Sequence, residues 1–172
     1  MLPTIPAREL PALAYAHGPE HDPALTSPEH FRPIPQDEHH VKPLAGGLWT
    51  APVTRRHPGG GIASTAWTDW CADEMPSVAE NALFVPIQPA PDARVLYVGS
   101  LADLEAVTAA YPVDQFGMRF PDWNRLAGNW DAFYLTQTGM WETRFTRPNL
   151  YSWDCATVLW LRPAYTTPAV TA

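Results

Sequence analysis

The chain has 172 residues, 46% apolar and 12% aromatic, with 17% charged and a formal net charge of −7. That length fits one domain able to bury most of its apolar side chains. Eight tryptophans against so low a charge fraction exclude a disordered tail, and no apolar run approaches the roughly 20 residues that span a bilayer. Residues 1–120 hold 14 acids and 7 bases, and residues 121–172 hold 4 of each, so the acidic excess lies in the first two thirds. An acidic surface repels phosphate backbones and argues against loose nucleic-acid binding. The N-terminus has no basic region ahead of an apolar core, and Cys71 and Cys155 stand 84 residues apart in no metal or redox spacing. Reduced thiols in a cytoplasmic, monomeric protein with no membrane contact are the expectation.

Nine of the 20 prolines fall in residues 1–43. Each fixes φ and biases its predecessor away from helix, so this segment reads as a loop-rich arm with one short helix near Arg8–Ala16. Residues 44–165 form the domain, and residues 166–172 a frayed tail. Gly47–Thr50 is a short strand ended by Pro52, and HPGGG at 57–61 is a loop. Ser64 suits an N-cap, and Trp67, Trp70 and Cys71 recur at helical spacing up to about Glu74. Ala82–Gln88 and Arg94–Val98 are strands joined by a turn, as a hairpin or a crossover. Ser100 with Asp103 opens a capped helix that Pro112 stops. Pro121–Ala127 is a second helix closed by Gly128. Asp131–Thr136, Met140–Phe145 and Ala156–Arg162 are strands, the first two joined at Thr138-Gly139. Glu142 and Arg144 then read as a surface cross-strand pair. This segregated order favours an α+β fold with a mixed or antiparallel split sheet and a few short helices.

Three stretches set tryptophans beside glycine and hydroxyl residues: Gly46–Pro52, Ser64–Trp70 and Ser152–Trp160. Glycine admits a ligand to the backbone, and a hydroxyl can fix a polar ring substituent. No Walker A, G-x-G-x-x-G or G-x-S-x-G pattern occurs. His17 and His21 span Gly18-Pro19, which does not place both on one helical face, so no metal is expected. Five tryptophans beyond residue 120 read as core, pocket wall or stacking platforms for bases.

The first two stretches resemble the strand and serine-to-aromatic pair of the diphtheria-toxin-like, or PARP-like, ADP-ribosyltransferases. The resemblance implies a toxin-like glycosyltransferase that uses NAD+ as substrate and moves ADP-ribose to a protein or a nucleic-acid base. By position, Gly47, Trp49 and Thr50 take the place of the family's strand. Ser64 takes that of its first serine, and Trp67 or Trp70 that of the closing aromatic. The second serine of the pattern is Ala66, leaving the carboxamide contact to Ser64, Thr65 or Thr50. Arg32 or His40, beside His39, would contact ribose or phosphate. The third stretch has the character of the family's late strand, yet Ala156 stands where the family has its catalytic Glu. Three readings stay open. Asp154 serves instead, the chain is a silent relative, or Ala replaces a Glu through substitution, which is the favoured one. The alternative function is a non-enzymatic, Trp-lined module binding a nucleotide, a glycan or a peptide.

Overall fold

The computed structural model describes residues 1–36, 41–115 and 117–168. Within them the chain forms a mixed sheet and five short α-helices. No helix of these residues is long and apolar enough to cross a membrane.

The Pro-rich arm joins the sheet. Residues Thr4–Pro6 (β1) and Leu13–His17 (β2) are strands, and a 3-10 turn at Ala7–Glu9 stands where a short helix was expected. Prolines at 6 and 11 hold this stretch extended, and Leu13 and Ala14 are buried. Strand β3 runs from Leu48 to Arg56, so Pro52 does not end it. The Val53 amide donates to Ala12 O at 2.8 Å, on the β2 side. Alternation turns the missing amide of Pro52 to the other side, between two ladders that begin and end at Val53 and Thr50.

Next come Ile62–Thr65 (β4), Ala66–Glu74 (α1), Pro76–Glu80 (α2), Leu83–Pro89 (β5) and Arg94–Val98 (β6). Ser64 lies in β4, and the N-cap of α1 is Thr65. Thr65 Oγ1 accepts from the Thr68 amide at 3.3 Å and Thr68 Oγ1 from the Thr65 amide at 2.9 Å, a reciprocal capping box. Strands β5 and β6 do not form a hairpin; β5 pairs with β2 and β6 with β1.

Helix α3, Leu101–Ala110, is capped by Ser100, as the sequence indicates. A two-stranded ribbon follows, Pro112–Gln115 (β7) with Met118–Pro121 (β8), which the sequence reading lacked. Helix α4 spans Trp123–Asn129 with Asp122 as its cap, so Gly128 lies inside it rather than closing it. Ala132–Leu135 (β9) is followed by Gln137–Thr143 (α5), then Thr157–Trp160 (β10) and Tyr165–Thr166 (β11). Helix α5 replaces the expected strand at Met140–Phe145. Thr136 Oγ1 accepts from the Gly139 amide at 3.0 Å, and Gly139, Met140 and Thr143 share one buried face. Glu142 accordingly does not pair with Arg144 across strands; its carboxylate accepts from the Leu101 amide at 3.2 Å at the start of α3.

The strand order is β1-β6-β9-β10-β3-β2-β5-β11, with β4 on β3. Among the described residues only β6 and β9 pair in parallel; the other ladders are antiparallel. Residues alternate between two cores along β9 and β10. Phe133, Leu135, Leu159 and Leu161 face the core shared with residues of α3, α4 and α5. Ala132, Val158 and Trp160 face the other core, shared with Ala7 and Leu13 of the arm and with Tyr165. The N-terminal segment therefore completes the second core.

Candidate functional site

A cavity of about 460 Å³ opens where β2, β3, α1 and the segment before β10 converge. Its size lies in the range of small-molecule sites. Trp49 and Thr50 reach it from β3, Trp67 from α1, and Asp154 and Cys155 from the loop before β10. Three stretches separated by up to about 100 residues in the chain thus meet at one place.

Local geometry explains why β3 starts where it does. Gly47 adopts φ +66° and its amide donates to Arg32 O at 2.7 Å. A Cβ there would sit 2.8 Å from Leu159 Cδ1 and 2.9 Å from Trp160 O, so only glycine lets β3 lie this close to β10. Two residues on, the Trp49 ring packs edge-on against Trp153 with centroids 4.7 Å apart. Trp153 in turn rests on Trp123 at 5.5 Å and Phe133 at 5.3 Å, which ties the cavity wall to the first core.

The charged groups are Lys42 and Asp154. Lys42 Nζ donates to Ser152 O at 3.0 Å, lies 3.5 Å from the Asp154 carboxylate and sits 5.1 Å from the Trp49 ring centroid. One ammonium thus joins the arm, the first motif and the third. Asp154 is the one carboxylate lining the cavity among the described residues. The Cys155 thiol is pushed up by burial and remains protonated at neutral pH, so it is no ready nucleophile. Burial likewise raises Tyr15, a phenol on the β2 wall.

The remaining sequence candidates divide. Thr50 lines the cavity, but its hydroxyl donates to Val158 O at 3.0 Å and accepts from Trp160 Nε1 at 3.2 Å. Its single proton is used, which leaves it acceptor capacity only. Ser64 is buried away from the cavity, bound to Thr54 Oγ1 at 2.8 Å and to Arg55 Nε at 3.0 Å. Trp67 lines this cavity, whereas Trp70 lines a neighbouring groove. Arg32 is exposed and does not line the cavity; only its backbone carbonyl touches the first motif. His39 and His40 lie outside the described residues. Ala156 is buried but does not line the cavity, although its neighbours Cys155 and Thr157 do. Asp154 is not on β10, which begins at Thr157, so it reaches the site from a loop.

Among the five late tryptophans, Trp123, Trp153 and Trp160 are buried and cannot stack on a base, while Trp141 is exposed. The His17 and His21 rings do approach, at 5.1 Å, through a turn rather than a helix. No group of three or more metal-ligating side chains is gathered among the described residues. Lys42 and Tyr15 were not singled out as site residues. The available signal was that Lys42 is the chain's single lysine, placed between the arm and the first motif.

Comparisons of the chain with protein-family models, curated proteins and solved structures give no match.

Proposed function

We propose that the chain is an ADP-ribosyltransferase-like domain whose cavity binds NAD+ through its nicotinamide half. The observation that carries this reading is the meeting of Trp49, Trp67 and Asp154 at one cavity of about 460 Å³. Tryptophan faces suit a flat cationic ring, since the ring quadrupole attracts positive charge. Of the expected carboxamide contacts, Thr50 Oγ1 keeps acceptor capacity for the N–H, whereas Ser64 is bound to Thr54 and Arg55.

In the transfer step the bond between the ribose anomeric carbon and the nicotinamide nitrogen breaks. Its electron pair leaves with neutral nicotinamide, and the acceptor's lone pair forms the new bond while its proton passes to solvent or a base. Positive charge develops on the ribose, and a fixed carboxylate nearby lowers that barrier. In this reading Asp154 supplies it, and its pairing with Lys42 at 3.5 Å supports a fixed orientation. Ala156 supplies no carboxylate.

A second reading rests on that same residue. With Ala156 in the Glu position and Asp154 already paired with Lys42, the cavity is that of a non-enzymatic, Trp-lined nucleotide-binding module. NAD+ titration followed by tryptophan fluorescence, alongside a nicotinamide-release assay, separates them. The transferase reading expects quenching that Trp49→Ala abolishes, and nicotinamide release that Asp154→Asn removes. Quenching without release, in both this chain and Ala156→Glu, favours the binding module. Absence of quenching at millimolar NAD+ overturns the transferase reading and leaves a module for another ligand.

A further inference from the structure

Beside the NAD+ cavity runs a second groove of about 580 Å³, and Asp154 and Cys155 line both. One wall is α5 and the residues after it, with Trp141 63% exposed and Phe145 80% exposed. Tyr151, 56% exposed, lies tilted against Phe145 with ring centroids 5.6 Å apart. Arg144 holds these rings as a cluster, its guanidinium 5.4 to 5.9 Å from all three centroids. Three large exposed aromatics on one short stretch are a costly surface for a chain to present to water, and such patches mark contact sites.

The opposite wall is α1, which contributes Asp69, Asp73 and Glu74. Asp69 is partnered by Arg55 at 3.8 Å. Asp73 and Glu74 are exposed and have no ion pair among the described residues. Asp154 also lines the groove but pairs with Lys42, so Asp73 and Glu74 are the two carboxylates without an ion-pair partner among the described residues, set against one lining guanidinium, Arg144.

We propose that this groove docks a cationic, arginine- or lysine-bearing segment of a protein acceptor, delivering it beside the NAD+ cavity; this rests on the reading of that cavity given above. Guest cations would pair with Asp73 and Glu74 while their side chains lie against the Trp141 and Phe145 rings, whose faces attract positive charge. A nucleic-acid strand would gain stacking from the same rings but would set its phosphates against the acidic wall, in a chain of net charge −7. Charge complementarity therefore selects the peptide.

The test is fluorescence anisotropy on the full chain with a labelled arginine-rich decapeptide, an acidic decapeptide of equal length and a labelled oligo-dT. The arginine peptide is expected to bind in a salt-sensitive manner and the other two are not. The double variant Asp73→Asn with Glu74→Gln should weaken it by about 3- to 10-fold, as expected for two exposed charges. Trp141→Ala should weaken it as well. These positions are exposed, so folding is checked by circular dichroism. No binding of the arginine peptide, binding indifferent to these variants, or tighter binding of oligo-dT overturns the proposal. NAD+ quenching measured on the parent chain separates the two readings. Quenching without peptide binding sinks only the groove, and variant-sensitive peptide binding without quenching supports the groove and sinks the NAD+ reading.

Discussion

Gly139→Ala inside α5 should destabilise the protein, although helix propensity alone predicts the opposite. Glycine in a helix interior is worse than alanine by about 0.8–1.0 kcal/mol, so an unconstrained site would gain that amount. At position 139 the added Cβ would run into the Val98 carbonyl oxygen, with Val98 C at 3.0 Å and Leu135 Cδ1 at 3.2 Å. The nearest obstacle is backbone at the end of β6, which cannot swing aside as a side chain can. Overpacking of this kind costs about 1–3 kcal/mol or more, which exceeds the propensity gain. Gly128 is the matched control. It too lies within a helix, yet it is exposed and a Cβ there meets nothing within 4 Å. Gly128→Ala should stabilise by up to about 1 kcal/mol. For a chain of this size each kcal/mol moves Tm by about 2–4 °C, so the two variants should shift thermal melts in opposite directions. An unchanged or raised Tm for Gly139→Ala would refute the close approach of α5 to β6.

Three further outcomes follow from the same geometry. Ser64→Ala should cost about 1 kcal/mol by removing the partner of Thr54 and Arg55, measured by urea denaturation, while leaving NAD+ quenching unchanged; a lost response would return Ser64 to the site. Ser100→Ala should cost about 1 kcal/mol through loss of the bond to the Asp103 amide at 3.2 Å, and a stability equal to the parent would contradict the cap. The third outcome concerns alkaline pH. Burial pushes the Cys71 thiol from about 9 up to about 11, and the Cys155 thiol is raised too. The unfolded thiols lose their protons first, so this contribution is complete below about pH 9 and falls as pH rises towards about 11. Cys71→Ala should flatten the alkaline limb of a stability-versus-pH curve, and an unchanged limb would show that the thiol does not titrate as described.

Local signals in the sequence were enough for particular elements. Ser100 ahead of Leu101, Leu104 and Val107 specified a capped helix, because a hydroxyl cap and a 3.6-residue stripe are both local properties. The apolar strands at Leu83–Pro89 and Arg94–Val98 were legible for the same reason, but their partners were not, since pairing depends on distant residues. Met140–Phe145 was misread because Trp141, Thr143 and Phe145 are strand-favouring types at alternate positions, following a turn signal at Thr138-Gly139. What made it a helix was the Thr136 cap and a buried face at Gly139, Met140 and Thr143, which requires Val98 nearby.

The candidate site divides along the same line. The residue types at Gly47, Trp49, Trp67 and Asp154 are written in the sequence, and their short motifs marked them before any geometry was known. Their convergence at one cavity is tertiary, because β2, β3, α1 and the loop before β10 meet only after the sheet orders its strands. Only packing could show that Ser64 is turned to Thr54 and Arg55, that Arg32 stays outside, and that Lys42 bridges Asp154 and Trp49. A side chain's type follows from the sequence, but its direction and partners are set by contacts between segments far apart in the chain, and those contacts form only in the fold.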